Sequence, residues 1–143
     1  MLQVLDIERN QLTTLPDSFG NLTELIILYL EWNSLASLPN SFSQLTNLIS
    51  LTISNNWLTS LPENIGDLSG LYFLDLGFNQ LGAVPETICQ MSNLQYLYLF
   101  NNYLDEVPDC MCQDLTINWS GDNGGGYPSF GIGGNYLCAK IPS

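Results

Sequence analysis

A leucine recurs every 23 residues through most of the chain, at positions 2, 25, 48, 71 and 94. Written from these leucines, five segments share the frame L-x-x-L-x-L/I-x-x-N-x-L-x-x-L/V-P-x-x-φ, in which φ is Phe, Ile or Met. The frame runs to residue 116 with no insertion or deletion. A fixed period of this length indicates that each segment is one structural unit and that stacked units bury a shared core.

The apolar residues of each unit predict one short strand. In residues 97–99, Leu97 and Leu99 share one face and Tyr98 takes the other, because side chains alternate along a strand. Stacked strands of this kind predict a parallel sheet with a continuous core behind it. Each unit also carries a proline, which fixes φ and cannot donate to a ladder, so an extended return segment is favoured over a long helix.

The frame resembles the leucine-rich repeat family, whose signature L-x-x-L-x-L-x-x-N-x-L it repeats five times, with Ile7 and Ile53 in place of the third leucine in two repeats. The resemblance implies an α/β-type repeat solenoid with a right-handed curve, mostly β and irregular. A short parallel sheet would line the concave face, and extended or 3-10 segments the convex face. The family also implies that the asparagine of each repeat points inward and pairs with backbone groups. These asparagines form a column, the asparagine ladder, of Asn10, Asn33, Asn56, Asn79 and Asn102. A buried backbone group without a partner costs about 1–3 kcal/mol, so we expect Asn→Ala there to destabilise the fold.

The strand positions that face away from the core carry many aromatic side chains. Of 16 Phe, Tyr and Trp residues, ten lie in these outward columns or directly before them. Exposed apolar patches mark interaction sites, and Tyr and Trp are enriched in binding hot spots. Alternatively, the rings favour strands and stack on one another. The predicted ligand-binding residues are Tyr29, Trp32, Trp57, Phe73, Phe78, Tyr96, Tyr98, Phe100 and Tyr103, together with the acids Glu8, Glu31 and Asp75.

The charge balance excludes several classes of partner. With 14 acids against 2 bases the net charge is −12, so no basic cluster exists to neutralise nucleic-acid phosphates or an anionic membrane surface. No apolar run approaches the roughly 20 residues of a membrane helix, so membrane contact would need segments beyond this sequence. Each repeat forms one rung of the predicted solenoid. Acids on neighbouring rungs, such as Glu8 and Glu31, favour a basic or mixed-charge protein partner over a calcium site. We predict neither a metal nor a cofactor.

Four cysteines lie in the C-terminal half of the chain. Cys89 and Cys112 are one period apart, which places them in stacked positions about 5–7 Å apart, within the range of a disulfide. We therefore predict Cys89–Cys112, which leaves Cys110 to pair with Cys138. Four cysteines allow three pairings, and the sequence by itself does not select one. Zinc is the weaker alternative, because the chain has no histidine and no C-x-x-C.

The repeat frame is lost after residue 116, and we predict that the chain consists of a repeat region and a C-terminal cap. Residues 1–116 form five repeats, and residues 117–143 form a Gly-rich cap over the last core layer, stapled through Cys110 and Cys138. Such caps resemble those of secreted or cell-surface leucine-rich repeat proteins. The aromatic residues predicted to cover the core are Trp119, Tyr127, Phe130 and Tyr136.

The first repeat has no cap ahead of it, so we expect this chain to be a fragment of a longer one. Left bare, Leu5, Ile7, Leu12 and Leu15 would be exposed and the free strand edge would invite self-association. Disulfides favour an oxidising compartment, and glycosylation sequons occur at Asn21 and Asn118. Together these features predict an extracellular or cell-surface location.

We predict a non-catalytic recognition module that binds a protein or glycan through an aromatic and acidic concave face. The alternative is a structural subunit of an extracellular filament or surface assembly, in which the concave face and the first repeat are subunit contacts. An enzyme is disfavoured, because the absence of histidine removes the usual nucleophile–base pairs. Carboxylates such as Asp6 and Glu8 lie on an open sheet face rather than in a cleft.

Overall fold

The computed structural model describes residues 1–113 and 130–137. Within them, six short strands form one parallel sheet whose order follows the chain. Each of the first five strands begins two residues after a leucine of the 23-residue period. The strands are β1 (Val4–Asp6), β2 (Ile27–Tyr29), β3 (Ser50–Thr52), β4 (Phe73–Asp75), β5 (Tyr96–Tyr98) and β6 (Phe130–Gly131).

The strands pair in the register that the period predicts. Leu28 lies opposite Leu51, and Leu74 lies opposite Leu97, so equivalent residues form straight columns. The inward leucines of β2 to β5 are at most 1% exposed. The outward columns proposed from the sequence are therefore confirmed as columns on the opposite face of the sheet.

The convex side consists of 3-10 helices, which confirms the predicted return segments. In each of these rungs the residue three positions after the proline donates its N–H to the proline carbonyl, as Phe19 does to Pro16 at 2.9 Å. One α-helical turn, α1 (Cys110–Gln113), takes this place on rung five. The 3-10 helices span Asp17–Asn21, Asn40–Gln44, Ile65–Asp67 and Glu86–Gln90.

The core is a stack of leucine layers between the sheet and the convex segments. Phe19 and Phe42 stack at its convex side with ring centroids 6.0 Å apart. On rung one, Leu5, Ile7 and Leu12 are partly buried, as expected for residues with a neighbouring rung on one side. The expectation that Leu15 would be exposed there is wrong, since it is 9% exposed.

The sheet continues into the segment predicted to be a cap. β6 pairs with β5 in parallel, with Phe130 opposite Leu97 and Gly131 opposite Tyr98. Residue 130 lies 33 positions after residue 97, ten more than the 23-residue period. Asn135 then takes the ladder position, where its amide donates to the Leu99 carbonyl at 2.8 Å. The prediction that the repeat ends before residue 117 is therefore wrong, and the extra residues explain why a fixed period misses this rung.

The disulfide joins Cys89 to Cys110, with Cα atoms 6.0 Å apart. The predicted pairs Cys89–Cys112 and Cys110–Cys138 are therefore both wrong. Cys138 lies outside the described residues. The bond still links the convex segment of rung four to that of rung five, and a disulfide between these two rungs was predicted from the sequence.

A two-residue stagger on the convex side explains the different partner. Asn64 donates its amide to the Ser43 hydroxyl at 2.7 Å, 21 positions earlier. Gly66 lies against the backbone of Thr87, again 21 positions away, so closely that a Cβ would collide with its carbonyl. The two cysteines occupy the same slot on the next pair of rungs, with a separation of 21. Strand neighbours are thus 23 residues apart, whereas convex neighbours at this slot are 21 apart.

Candidate functional site

The asparagine ladder forms the edge of the sheet where the strands end. Asn79 accepts the Leu58 N–H at 3.0 Å and donates to the carbonyls of Leu76 and Ile53 at 3.0 and 3.1 Å. Equivalent bonds recur at Asn56 and Asn102. The inward-pointing ladder implied by the family resemblance is confirmed, and it gives the residues around it a rigid base.

The residue before each ladder asparagine adopts a left-handed conformation. At these five positions φ lies between 52 and 57°. Asn and Gly tolerate this region, whereas a bulky side chain there is disfavoured by about 1–2 kcal/mol. Trp32 and Phe78 occupy it nevertheless, a feature that the sequence analysis missed because the repeat frame leaves this position free. The residues concerned are Arg9, Trp32, Asn55, Phe78 and Asn101, and Gly134 takes the same position on rung six with φ of 77°.

One set of the predicted aromatic residues packs against itself on the concave face. The Phe73 and Tyr98 rings meet edge to face at 5.5 Å, and Tyr98 stacks on Phe100 at 5.7 Å. Tyr96 lies 5.9 Å from Phe73 by ring centroids. All four rings are half-buried, and the Phe100 ring covers Gly131 of β6. Mutual stacking, the alternative left open from the sequence, accounts for the packing of this set.

A second set is exposed along the ladder edge, and we call it the edge row. It consists of Trp32, Trp57, Phe78, Tyr103 and Tyr136, which are 54–62% exposed. Tyr136 was predicted to cover the last core layer, and that is wrong: its ring lies 5.9 Å from the Tyr103 ring at the surface. The sixth rung brings it there, because Tyr136 follows ladder residue Asn135 as Tyr103 follows Asn102.

The middle of the concave face is polar, and we call it the polar centre. Thr52 lies between Tyr29 and Asp75 in the sheet register, and Glu31 follows β2 on the same face. Thr52 is only 9% exposed, and Ser54 beside it is equally buried. Tyr29, Glu31 and Asp75 were predicted from the sequence to bind a ligand, whereas Thr52 and Ser54 were not, although both stand in the same outward columns.

Two oxygen atoms of the polar centre are buried without a partner. Among the described residues, neither Glu31 Oε2 nor Thr52 Oγ1 has a hydrogen-bond partner. Burial raises the pKa of Asp75, although its carboxylate accepts hydrogen bonds from the Gly77 N–H at 2.9 Å and from the Ser54 side chain. The centre thus combines two carboxylate side chains with two oxygen atoms that lack a donor, in a protein of net charge −12.

The remaining predicted residues lie apart from this centre or outside the described chain. Glu8 is exposed on rung one, where its Oε1 lies 3.5 Å from Arg9 Nε. Asn21 of the first sequon is exposed at the end of its 3-10 helix. Predictions for three further residues cannot be placed, because Asn118, Trp119 and Tyr127 lie outside the described residues.

In residues 1–113 and 130–137 no three His, Cys, Asp or Glu side chains come together as metal ligands would. In the same part of the chain, no helix has the length and apolar character needed to cross a membrane. The side chains of the polar centre and the edge row themselves offer hydrogen bonds, negative charge and ring contacts.

Comparison with known proteins agrees with the fold. The family model described as Leucine Rich Repeat matches residues 1–22, 47–68 and 93–115. Among solved structures 154 chains match. One is a leucine-rich repeat protein of Leptospira interrogans, with a TM-score of 0.67, 45% identity and coverage of 68% of this chain. The match spans 25% of that protein's length. No curated protein matches the chain.

Proposed function

Because this chain is a leucine-rich repeat protein, we propose that it is a non-catalytic module that recognises a protein through its concave face. Leucine-rich repeat domains commonly bind proteins. The single observation that carries the proposal is the polar centre, where the partly exposed residues Glu31 and Asp75 share one face with Thr52, and where Glu31 Oε2 and Thr52 Oγ1 have no hydrogen-bond partner among the described residues.

The partner that fits the polar centre presents a lysine or arginine side chain. Such a side chain carries only donors, and it would supply positive charge and hydrogen bonds to the partly exposed residues Glu31 and Asp75. Tyr29 lies beside Thr52 in the register and offers a ring against which the cation or its stem can rest. A surface of net charge −12 also accelerates the approach of a basic partner.

We propose that recognition takes place outside the cell or at its surface. The disulfide Cys89–Cys110 supports this location, because such bonds persist in oxidising compartments. The exposed Asn21 sequon lies on the convex side, where a glycan would leave the concave face open. Loss of mass after glycosidase treatment of the native protein is expected, and an unchanged mass together with reduced cysteines would contradict the location.

Selection of peptides from a displayed random library tests the proposed function even though the partner is unidentified. Peptides that bind the immobilised chain should be enriched in Arg and Lys, and their binding should weaken as salt rises. Binding should be lost in the double variant Glu31→Gln, Asp75→Asn.

The double variant Glu63→Gln, Asp67→Asn is the matched control. It removes the same charge from exposed residues of the convex side. Equal loss of binding in both double variants would show a general charge effect, and peptides without basic residues would contradict the proposal outright.

A further inference from the structure

The edge row has one aromatic side chain on each rung from rung two to rung six. Adjacent parallel strands are about 4.8 Å apart, so the five rings extend over about 19 Å. Toward rungs four to six the rings of Phe78, Tyr103 and Tyr136 border an open groove of about 610 Å³. The amides of Gln80 and Asn101 also line this groove, and both residues are exposed.

The groove is uncharged in a strongly acidic protein. None of its ten lining residues carries a charge, although the chain has 14 acids and a net charge of −12. A basic ligand would find its counter-charges at the polar centre instead. The part of the edge row that borders the groove, Phe78, Tyr103 and Tyr136, therefore suits a neutral ligand that combines apolar and hydroxyl surfaces.

Two rings of the edge row stand where the backbone disfavours them. Trp32 and Phe78 have φ of 56 and 55°, while the equivalent residues on other rungs include Asn55, Asn101 and Gly134. Neither ring is buried, since they are 56 and 54% exposed, so packing in the core does not compensate for the strained backbone. Backbone strain at residues outside the core is characteristic of functional sites.

From these observations we infer that the edge row is a second binding site, separate from the concave face, and that its ligand is a neutral carbohydrate chain. The C–H face of a sugar ring rests on an aromatic ring, and sugar hydroxyls exchange hydrogen bonds with amide groups such as those of Gln80 and Asn101. An extended row of rings matches a ligand of several sugar units better than a single small molecule.

Titration of the full chain with neutral oligosaccharides tests this inference. The probes are the hexaoses of β-1,4-glucose, β-1,3-glucose, α-1,4-glucose, β-1,4-mannose, β-1,4-xylose and β-1,4-N-acetylglucosamine, followed by tryptophan fluorescence and calorimetry. At least one should bind at millimolar concentration or below. Trp57→Ala and Tyr103→Ala should each weaken that binding by about tenfold, which corresponds to about 1.4 kcal/mol. Asp75→Asn at the polar centre should leave it unchanged.

The variants Trp32→Asn and Phe78→Asn separate binding from folding. Each should weaken oligosaccharide binding while the melting temperature stays equal or rises, because Asn tolerates the left-handed backbone. A fall in melting temperature would show that these rings stabilise the fold, and it would overturn the inference. Failure of every hexaose to bind would also overturn it. Loss of basic-peptide binding in Trp57→Ala without any sugar binding would assign the edge row to the protein partner instead.

Discussion

Replacing Asn79 by alanine removes a side chain that serves two neighbouring rungs. Its Oδ1 accepts the N–H of Leu58, which is fully buried, at 3.0 Å. In the variant that N–H has no partner, which costs about 1–3 kcal/mol. The carbonyls of Ile53 and Leu76 each lose one of two amide donors, a smaller loss of up to about 1 kcal/mol each. The expected decrease in the free energy of unfolding is therefore about 1–5 kcal/mol.

Asn10→Ala is the matched control, because Asn10 holds the same place in the repeat frame but is exposed. Its amide donates to the carbonyls of Ile7 and Glu8 at 3.0 and 2.9 Å, and water can replace it there. We expect a loss of at most about 1 kcal/mol. Urea unfolding followed by circular dichroism measures both variants. Equal losses in the two variants would refute the view that buried ladder asparagines stabilise the solenoid by satisfying backbone groups.

Three further predictions address the disulfide, the convex contacts and the polar centre. Cyanogen bromide cleaves after Met91 and Met111, so without reduction the fragment 2–91 should stay linked to fragment 92–111, which contains Cys110; linkage to the fragment that begins at Cys112 would contradict the observed pair. Gly66→Ala should destabilise by about 1–3 kcal/mol, because the new Cβ meets the Thr87 carbonyl. Gly82→Ala, whose Cβ meets nothing within 4 Å, should be neutral or slightly stabilising, and the two urea midpoints decide this. Because burial raises the pKa of Asp75, the folded state holds its proton more tightly, and this stabilisation is present below pH 3.8 and lost as pH rises through the raised pKa. Asp75→Asn should therefore raise the melting temperature at pH 7 and change it little below pH 3.8, whereas a difference that is constant with pH would contradict the shift.

The strand register could be predicted because one residue type at one period determines it. Each strand stacks on a neighbour with leucine at the same position, so Leu28, Leu51 and Leu74 align although the flanking side chains differ. The same logic placed Glu31 and Asp75 on the concave face.

The convex side and the sixth rung could not be read from the period. The contact that positions Cys110 against Cys89 follows a stagger of two residues, which arises from how neighbouring segments pack rather than from the repeat length. On rung six, an insertion of ten residues moves Asn135 and Tyr136 out of the 23-residue frame. The pattern that identifies them, I-x-x-N-x-L in residues 132–137, becomes visible only once a variable spacing is allowed.

The division of the aromatic residues also needed the three-dimensional arrangement. Phe73 and Phe78 are both outward in the sequence frame, yet Phe73 packs on Tyr98 whereas Phe78 is 54% exposed. The difference depends on which neighbouring rungs also carry a ring. It also depends on the left-handed turn that directs Phe78 to the edge.

The central claim is that the polar centre binds a basic side chain of a protein partner. The most direct measurement is calorimetric titration of a library-selected basic peptide against Glu31→Gln and against Glu63→Gln, which change the same charge on opposite sides of the solenoid. We expect Glu31→Gln to weaken binding by about tenfold or more and Glu63→Gln to leave it nearly unchanged. Equal affinities of the two variants would contradict it.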